Sequence, residues 1–388
     1  MQLDLMLKNG PDYDLLKKRL DPSGVDLVIA LAESLAKKQS GGSLYQPDPL
    51  LQQFRKSIPT VEDVHIATEL TTFSEMYMQD LNLISAAGQS VVPVNHKSDS
   101  YLKHDRFDQW RIDVDKARRA PLSESAGDGW KVTNATYTAE VYAWHHDVPR
   151  DRMANQAVGD PMEQGTRYVL QFLTLIREKI FATNCFATGL WTRDRDGVTS
   201  GPTGAQFIQW DQAAGVPRDN LSGDAIVIHE LTGKWPNRLI LSPYSLRGLL
   251  LNAQVVSAFQ YTTAGATPSL SQLAASLFGG VEGLADPPRI AIMGGINTTS
   301  AEGLANTSAY IAGKHALLCY VDPSPSVDSA TAFSTFTWTG RVGANEQGVS
   351  ITTEEIPLKK GERIEGEIAV DVKLVAADLG AFYEAAVA

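Results

Sequence analysis

The chain has 388 residues, of which 43% are hydrophobic and 20% charged, and its formal charge is −11. This composition excludes a disordered polypeptide, and the acidity argues against a protein whose task is to grip phosphates, though not against a wall that encloses nucleic acid without sticking to it. Only Cys185 and Cys319 are present, with no CxxC or CxxH neighbour, so neither a disulfide scaffold nor a zinc site is signalled and a reducing compartment fits.

The length points to one large elaborated domain or two domains. Met1 to Gly10 carries Asp4 and lacks a basic stretch followed by an apolar one, unlike a secretory signal. No apolar run approaches membrane-spanning length.

Leu27, Leu31 and Leu35 recur four residues apart before Ser40-Gly41-Gly42-Ser43 breaks the pattern, so residues 1–60 read as a loosely tethered arm. An ordinary packed helix over 25–38 fits the same spacing. Pro47, Pro49 and Pro59 favour an extended path after it.

Trp110, Ile112 and Val114 alternate with Arg111, Asp113 and Asp115, which predicts a strand. Tyr137, Ala139, Val141 and Ala143 alternate with Thr136, Thr138, Glu140 and Tyr142 and predict a second one opening at Val132. Between them Lys116 to Gly129 is a polar tip with Pro121, Gly127 and Gly129. From Tyr101 to Lys131 there are 7 basic and 6 acidic residues in the sequence, too many for this hairpin to bury much of itself. A two-stranded ribbon is marginal alone, so either its own domain or a neighbouring subunit must support it.

Asp160-Pro161-Met162-Glu163 combines an N-cap, a first-turn proline and a third-position carboxylate. It predicts a long helix to about Asn184, with Met162, Val169, Phe172, Leu173, Ile176 and Ile180 as its buried stripe. Arg238 to Leu241 reads as a strand, and Ser242-Pro243 opens a helix burying Leu246, Leu249, Leu250, Ala253 and Val256. Thr267-Pro268 opens another, with Leu270, Leu273, Ala274 and Leu277 as its stripe and Gly279 as its stop.

Strands are predicted at Arg289 to Met293, Ala316 to Val321 and Phe333 to Thr339. Residues 220–330 hold 7 acidic and 5 basic side chains, and a surface so poor in charge is expected to meet protein. Near the end, Ile368, Val370, Val372 and Leu374 alternate with Ala369, Asp371 and Lys373 as a half-buried strand, followed by a predicted short helix over Leu379 to Val387.

Motifs for chemistry are absent: there is no GxSxG, Walker loop or GxGxxG. His65, His96, His104, His145, His146, His229 and His315 form no HExxH or i, i+4 pair. His145 and His146 would face opposite sides of a strand. Asp194-Arg195-Asp196-Gly197 begins like a calcium loop, but Ala205 stands where the closing Glu belongs. Glu354, Glu355, Glu365 and Glu367 read as solvated carboxylates, and Arg150-Asp151-Arg152 and Lys116 with Arg118-Arg119 as ion-pairing surface. No catalytic residue, cofactor or metal is expected.

The order of arm, charged hairpin, capped helix, apolar mixed region and final strands resembles the major capsid proteins of tailed phages with the Hong Kong 97 fold. The stretches VPRDRMANQAVGDPMEQGTRYVLQFLTLIREKIFA, WPNRLILSPYSLRGLL and GERIEGEIAVDVKLVAADLGAFYEAAV carry the likeness, which covers Gln89 to Ala388. It implies an α+β capsid fold with an N-terminal arm and lead-in over 1–98 and an extended loop over 99–146 lying across a neighbouring subunit. A peripheral domain over 147–219 and 341–388, built on a spine helix at about 160–184, and an axial domain over 220–340 complete it.

The resemblance further implies a virion shell assembled in the host cytoplasm from pentamers and hexamers of this chain. The shell would have a portal protein at one vertex, scaffold and decoration proteins as further partners, and enclosed double-stranded DNA bound without sequence specificity. No membrane partner is implied. Trp110, Arg111, Lys116, Arg118, Arg119, Trp130, Tyr137 and Tyr142 are the candidate inter-subunit contacts.

Some relatives cross-link an extended-loop Lys to an Asn; Lys103, Lys116 and Asn345 match no local motif for this, and the role is not carried over. Removal of an N-terminal scaffold segment is not expected, and a subunit mass well below 42.1 kDa in a mature particle would contradict that. The nearest alternative is an encapsulin-type compartment shell, which resembles these capsids but encloses enzymes. From a different class, an enzyme using His145, His146 or His229 with a carboxylate lacks any supporting spacing.

Overall fold

The computed structural model describes residues 86–388, apart from 105–112, 120, 126, 128–131, 155–159, 260–267 and the single positions 282, 285, 302, 306, 328 and 342. The arm expected over 1–60, His65, and the expected contacts Trp110, Arg111 and Trp130 lie outside the described residues.

In chain order the elements begin with β1 (Val91–Val94), β2 (Ser98–His104), α1 (Val114–Ala117), β3 (Val132–Thr138), β4 (Glu140–Pro149), α2 (Arg150–Ala154) and α3 (Pro161–Cys185). They continue with β5 (Arg193–Val198), β6 (Phe207–Ile208), α4 (Pro217–Thr232), β7 (Arg238–Leu241), α5 (Pro243–Leu251), α6 (Ala253–Phe259), α7 (Leu270–Phe278) and β8 (Arg289–Ile292). Strands β9 (Ile296–Thr298), β10 (Ser308–Tyr310), β11 (Ala316–Cys319), β12 (Phe333–Trp338), β13 (Val349–Ile356), β14 (Gly361–Leu374) and β15 (Gly380–Glu384) close the chain.

Helix α3 starts where its sequence says it should. The Asp160 carboxylate accepts the Met162 N–H, and Pro161 occupies the first turn, where no N–H is needed. The helix lies on β14 and β4, and two glycines set how closely it does so. A β-carbon on Gly366 of β14 would stand 2.4 Å from Val169 Cγ1, and one on Gly165 of α3 would stand 2.7 Å from Ile364 Cδ1. Val169, Leu173 and Phe181 thereby meet Ile364, Ile368, Val370 and Val372 in one core.

Strand β14 organises a five-stranded sheet. It pairs antiparallel with β13 from Gly361 to Ile368, with β12 from Val370 to Leu374, and with β4 from Gly361 to Val370; β1 runs parallel to β12. A second sheet runs in the order β6-β5-β15-β11-β7-β8, and its central strands β15, β11 and β7 are buried on both faces. Ile240, Leu317, Cys319 and Phe382 point into the core shared with α3. Their neighbours Leu239, Leu241, Ala316, Leu318, Ala381 and Tyr383 point into a second core under α4 to α7.

That double burial corrects the C-terminal expectation. Leu379 to Val387 has the spacing of a helix, yet Gly380–Glu384 is a strand, parallel to β5 and antiparallel to β11. A strand covered on both faces reads as a continuous apolar run, so its period is hidden.

The helix expected from Pro243 through Val256 is two, α5 and α6. Asn252 ends the first by donating to the carbonyls of Trp210 and Gly215, and its Oδ1 receives the Gln254 N–H that starts the second. The break rotates Val255 inward and leaves Val256 exposed, contrary to the expected stripe. Helix α7 carries a full capping box between Ser269 and Gln272, and Leu273, Ala274 and Leu277 are buried as expected. Leu270 is exposed.

Candidate functional site

The charged hairpin differs from its expected form in partner and extent. Strand β3 pairs with β2, in the register Ser98↔Thr138 to His104↔Val132. Of the strand expected over Trp110 to Asp115, residues 110–112 lie outside the described residues, and Val114 and Asp115 belong instead to the helical turn α1, capped by Asp113, whose carboxylate accepts the Lys116 N–H. Residues 140–146, expected in the ribbon, belong to β4 and pair with β14. The switch falls at Ala139, which is fully buried and donates its N–H to the Lys97 carbonyl.

Among the described residues the ribbon is fastened at its base. Tyr101 and Tyr137, both buried, pack on Phe336 of β12 with ring centroids 5.3 and 4.5 Å apart, the second pair stacked. Val92, Val94 and Val375 complete this small third core. The Thr138 N–H donates to Asp371 Oδ2 at 2.8 Å. Burial raises the Tyr101 and Tyr137 hydroxyl pKa values, helped by Asp371 and Asp99 respectively. Both rings are therefore neutral apolar anchors across the physiological range.

At the other end, Lys116, Arg118 and Arg119 are all exposed. Val114 is 77% exposed, and Leu122, with φ of +67°, is fully exposed. The Lys116–Asp113 pair at 3.6 Å lies in solvent and holds little. Leucine in the left-handed region is uncommon and strained, and here it displays an apolar side chain on a charged tip.

Of the sequence-expected contacts, the structure thus gathers Lys116, Arg118 and Arg119 at the tip. Tyr137 sits in the third core, inside its own chain. Tyr142, on β4, is half-buried against the α3 core, with its hydroxyl pKa raised by burial and then by Glu140.

Two further surfaces stand out. Beside α3, Trp144 stacks on Phe172 at 4.2 Å, and Tyr168 bridges Phe172 to His146, forming an aromatic ledge in which Trp144 is 38% exposed. Burial, then Arg152, lowers the His146 pKa. On α4 to α7, Ile226, Leu251, Val256 and Leu270 are apolar and exposed.

Several charged side chains form ion pairs on the β14 sheet, Arg150 among them as expected. Asp147 accepts from Arg363 and Lys359, and these bonds hold its carboxyl well below the usual range. Arg150 pairs with Glu355, and Arg341 with Glu367. Asp194 accepts the Thr188 hydroxyl and the Gly189 N–H in the stretch that looked like a calcium loop. Among the described residues, no group of three or more His, Cys, Asp or Glu side chains could hold a metal ion, and no helix is long and apolar enough to cross a membrane.

Two buried carboxylates carry no signal in the sequence. Asp224 of α4, fully buried, accepts from Arg193 at 2.8 Å, Arg195 at 2.7 Å and the Tyr383 hydroxyl, joining α4 to β5 and β15. Glu178 of α3, also fully buried, accepts the N–H groups of Ala86 at 3.2 Å and Ala87 at 3.0 Å. In both helices the carboxylate lies in a polar–apolar pattern that reads as solvent-facing, and only the tertiary partner reveals it.

A solved structure shares this architecture. A phage-related protein from Bordetella bronchiseptica is similar, at 19% identity with a TM-score of 0.57 over 82% of this chain and 97% of that one. The likeness establishes the α+β fold. The capsid of cyanophage P-SCSP1u (13% identity, TM-score 0.47, 76% of this chain and 85% of that one) is a weaker likeness. So is the holo-SrpI encapsulin complex of Synechococcus elongatus (10% identity, TM-score 0.45, 88% and 96%). No family model matches the chain, and no curated protein matches it.

Proposed function

We propose that this chain is a shell subunit, a major capsid protein with the Hong Kong 97 fold that encloses the double-stranded DNA genome of a tailed phage. The observation that carries the reading is the ribbon: a two-stranded extension that, among the described residues, is fastened at Tyr101, Tyr137 and Asp371 and carries exposed Val114, Lys116, Arg118, Arg119 and Leu122. Such a tip gains nothing in a monomer and needs a surface from elsewhere. The fold shared with a phage-related protein supports a phage origin for the chain.

In this reading the ribbon crosses a neighbouring subunit, and α3 with the β14 sheet forms the peripheral domain. The exposed apolar side chains of α4 to α7 meet their copies around pentamer and hexamer axes, where repeated modest contacts add up. A portal, scaffold and decoration proteins are the further partners, and assembly takes place in the host cytoplasm. The role is structural, without catalysis or cofactor.

Sedimentation of the purified full chain, with analysis of any enclosed material, tests this. Megadalton particles that hold double-stranded DNA when recovered from phage lysates are expected. A stable small oligomer would refute the shell, and an enclosed enzyme in place of DNA would favour the encapsulin-type compartment.

A further inference from the structure

The first described turn of the chain is held by a carboxyl group with no access to water. Glu178 sits two-thirds of the way along α3, and its two oxygens receive the backbone N–H groups of Ala86 and Ala87, one each. Both alanines are buried in the α3 core. The turn they open, Ala86 to Gln89, leads directly into β1, and Thr335 of β12 secures its other side by donating its hydroxyl to the Ala87 carbonyl at 2.7 Å.

The charges around this carboxyl are few. From α3 itself comes Arg177, whose guanidinium donates to Gln347 at 2.7 Å and forms no ion pair with Glu178. Nothing ionisable comes from the turn, which is Ala-Ala-Gly-Gln. From β7, Arg238 reaches the turn through the Gln89 side chain at 3.1 Å. β12 contributes Ser334 and Thr335, neither of which is ionisable. Two amide donors and one diverted arginine do not offset the removal of a full charge from water.

We infer that docking of the Ala86–Gln89 turn onto α3 is coupled to uptake of a proton by Glu178, which makes this carboxyl a pH-responsive clasp for that turn and for the start of β1 that follows it. The coupling follows from burial. When the turn is seated, desolvation outweighs Arg177 and the two N–H donors, and the Glu178 pKa is pushed up to about 7. When the turn lifts, water reaches the carboxyl and its pKa falls toward the ordinary ~4.3. The seated state therefore binds the proton more tightly. Docking is strongest in acid, weakens as pH climbs through about 7, and levels off above it. The inference concerns one chain and does not depend on whether copies form a shell.

Amide hydrogen exchange on the full chain, corrected for the intrinsic pH dependence of exchange, reads this directly. Protection of Ala86 and Ala87 is expected to fall about tenfold from pH 6 to pH 8, while protection in β14 stays level. In Glu178→Gln, a neutral side chain that still offers one acceptor, the turn is expected to keep its protection across that range. Should this variant fail to fold, infrared titration of the unmodified chain serves instead, with a protonated-carboxyl band expected to vanish near pH 7 together with the protection. Level protection between pH 6 and pH 8, protection rising with pH, or a tenfold loss retained in Glu178→Gln overturns the inference.

Discussion

Replacing Phe336 with alanine should release the base of the ribbon while leaving the two larger cores in place. Phe336 is 1% exposed and is gripped by Tyr101 and Tyr137. Truncating a buried phenylalanine costs about 3–5 kcal/mol from lost transfer energy and cavity formation. Each ring contact contributes about 0.5–1.5 kcal/mol beyond buried area, so the upper half of that range applies. The third core has only a handful of other members, Val92, Val94 and Val375 among them, and cannot absorb such a loss. About 4 kcal/mol corresponds to roughly a thousandfold in the local opening equilibrium. Hydrogen exchange resolved by segment checks this: Ser98–His104 and Val132–Thr138 should lose protection by that order, with Gly361–Leu374 and Pro161–Cys185 changing far less. Equal loss in all four segments, or none in the ribbon, would refute the idea that the ribbon is fastened at this one point.

Asp224→Ala should cost about 3–5 kcal/mol in thermal or denaturant unfolding, because Arg193, Arg195 and the Tyr383 hydroxyl lose their shared acceptor in a buried site. Asp147, held below the usual carboxylate range by Arg363 and Lys359, contributes stability that is complete above the unfolded value of about 3.9 and lost as pH falls below it. Asp147→Asn should therefore flatten the acid limb of the stability curve without shifting its alkaline limb. Replacing Lys116, Arg118 and Arg119 together with glutamate should move monomer stability by no more than about 0.5 kcal/mol, since all three are exposed. The same variant should lower particle yield in sedimentation, and an unchanged yield would remove the tip from the assembly contacts.

What the sequence disclosed, and what it hid, follows from where each signal is encoded. Asp160-Pro161 and Ser242-Pro243 are local devices, and both helices start where expected. The alternation from Ile368 to Leu374 survives because that part of β14 has one face on the α3 core and the other less covered. Strand β15 was misread because its two faces enter two different cores, which erases the period. Strand β2, Ser-Asp-Ser-Tyr-Leu-Lys-His, has Tyr101 as the one buried side chain among those described, too sparse a pattern to announce a strand. At the ribbon, the exposed basic tip is legible from composition, whereas the roles of Tyr137 and Phe336 depend on a ring contact between residues nearly 200 apart in sequence. Glu178 and Asp224 were invisible for a related reason, since a charged side chain on a helix reads as solvated until a distant element closes over it.

Electron cryomicroscopy of the assembled full chain tests the central claim most directly, because it shows what lies against the ribbon tip. The account predicts closed shells in which the segment from Val114 to Leu122 is covered by another copy of the same chain. Shells in which that tip stands bare in solvent, or a chain that remains monomeric with the tip folded onto its own surface, would contradict it.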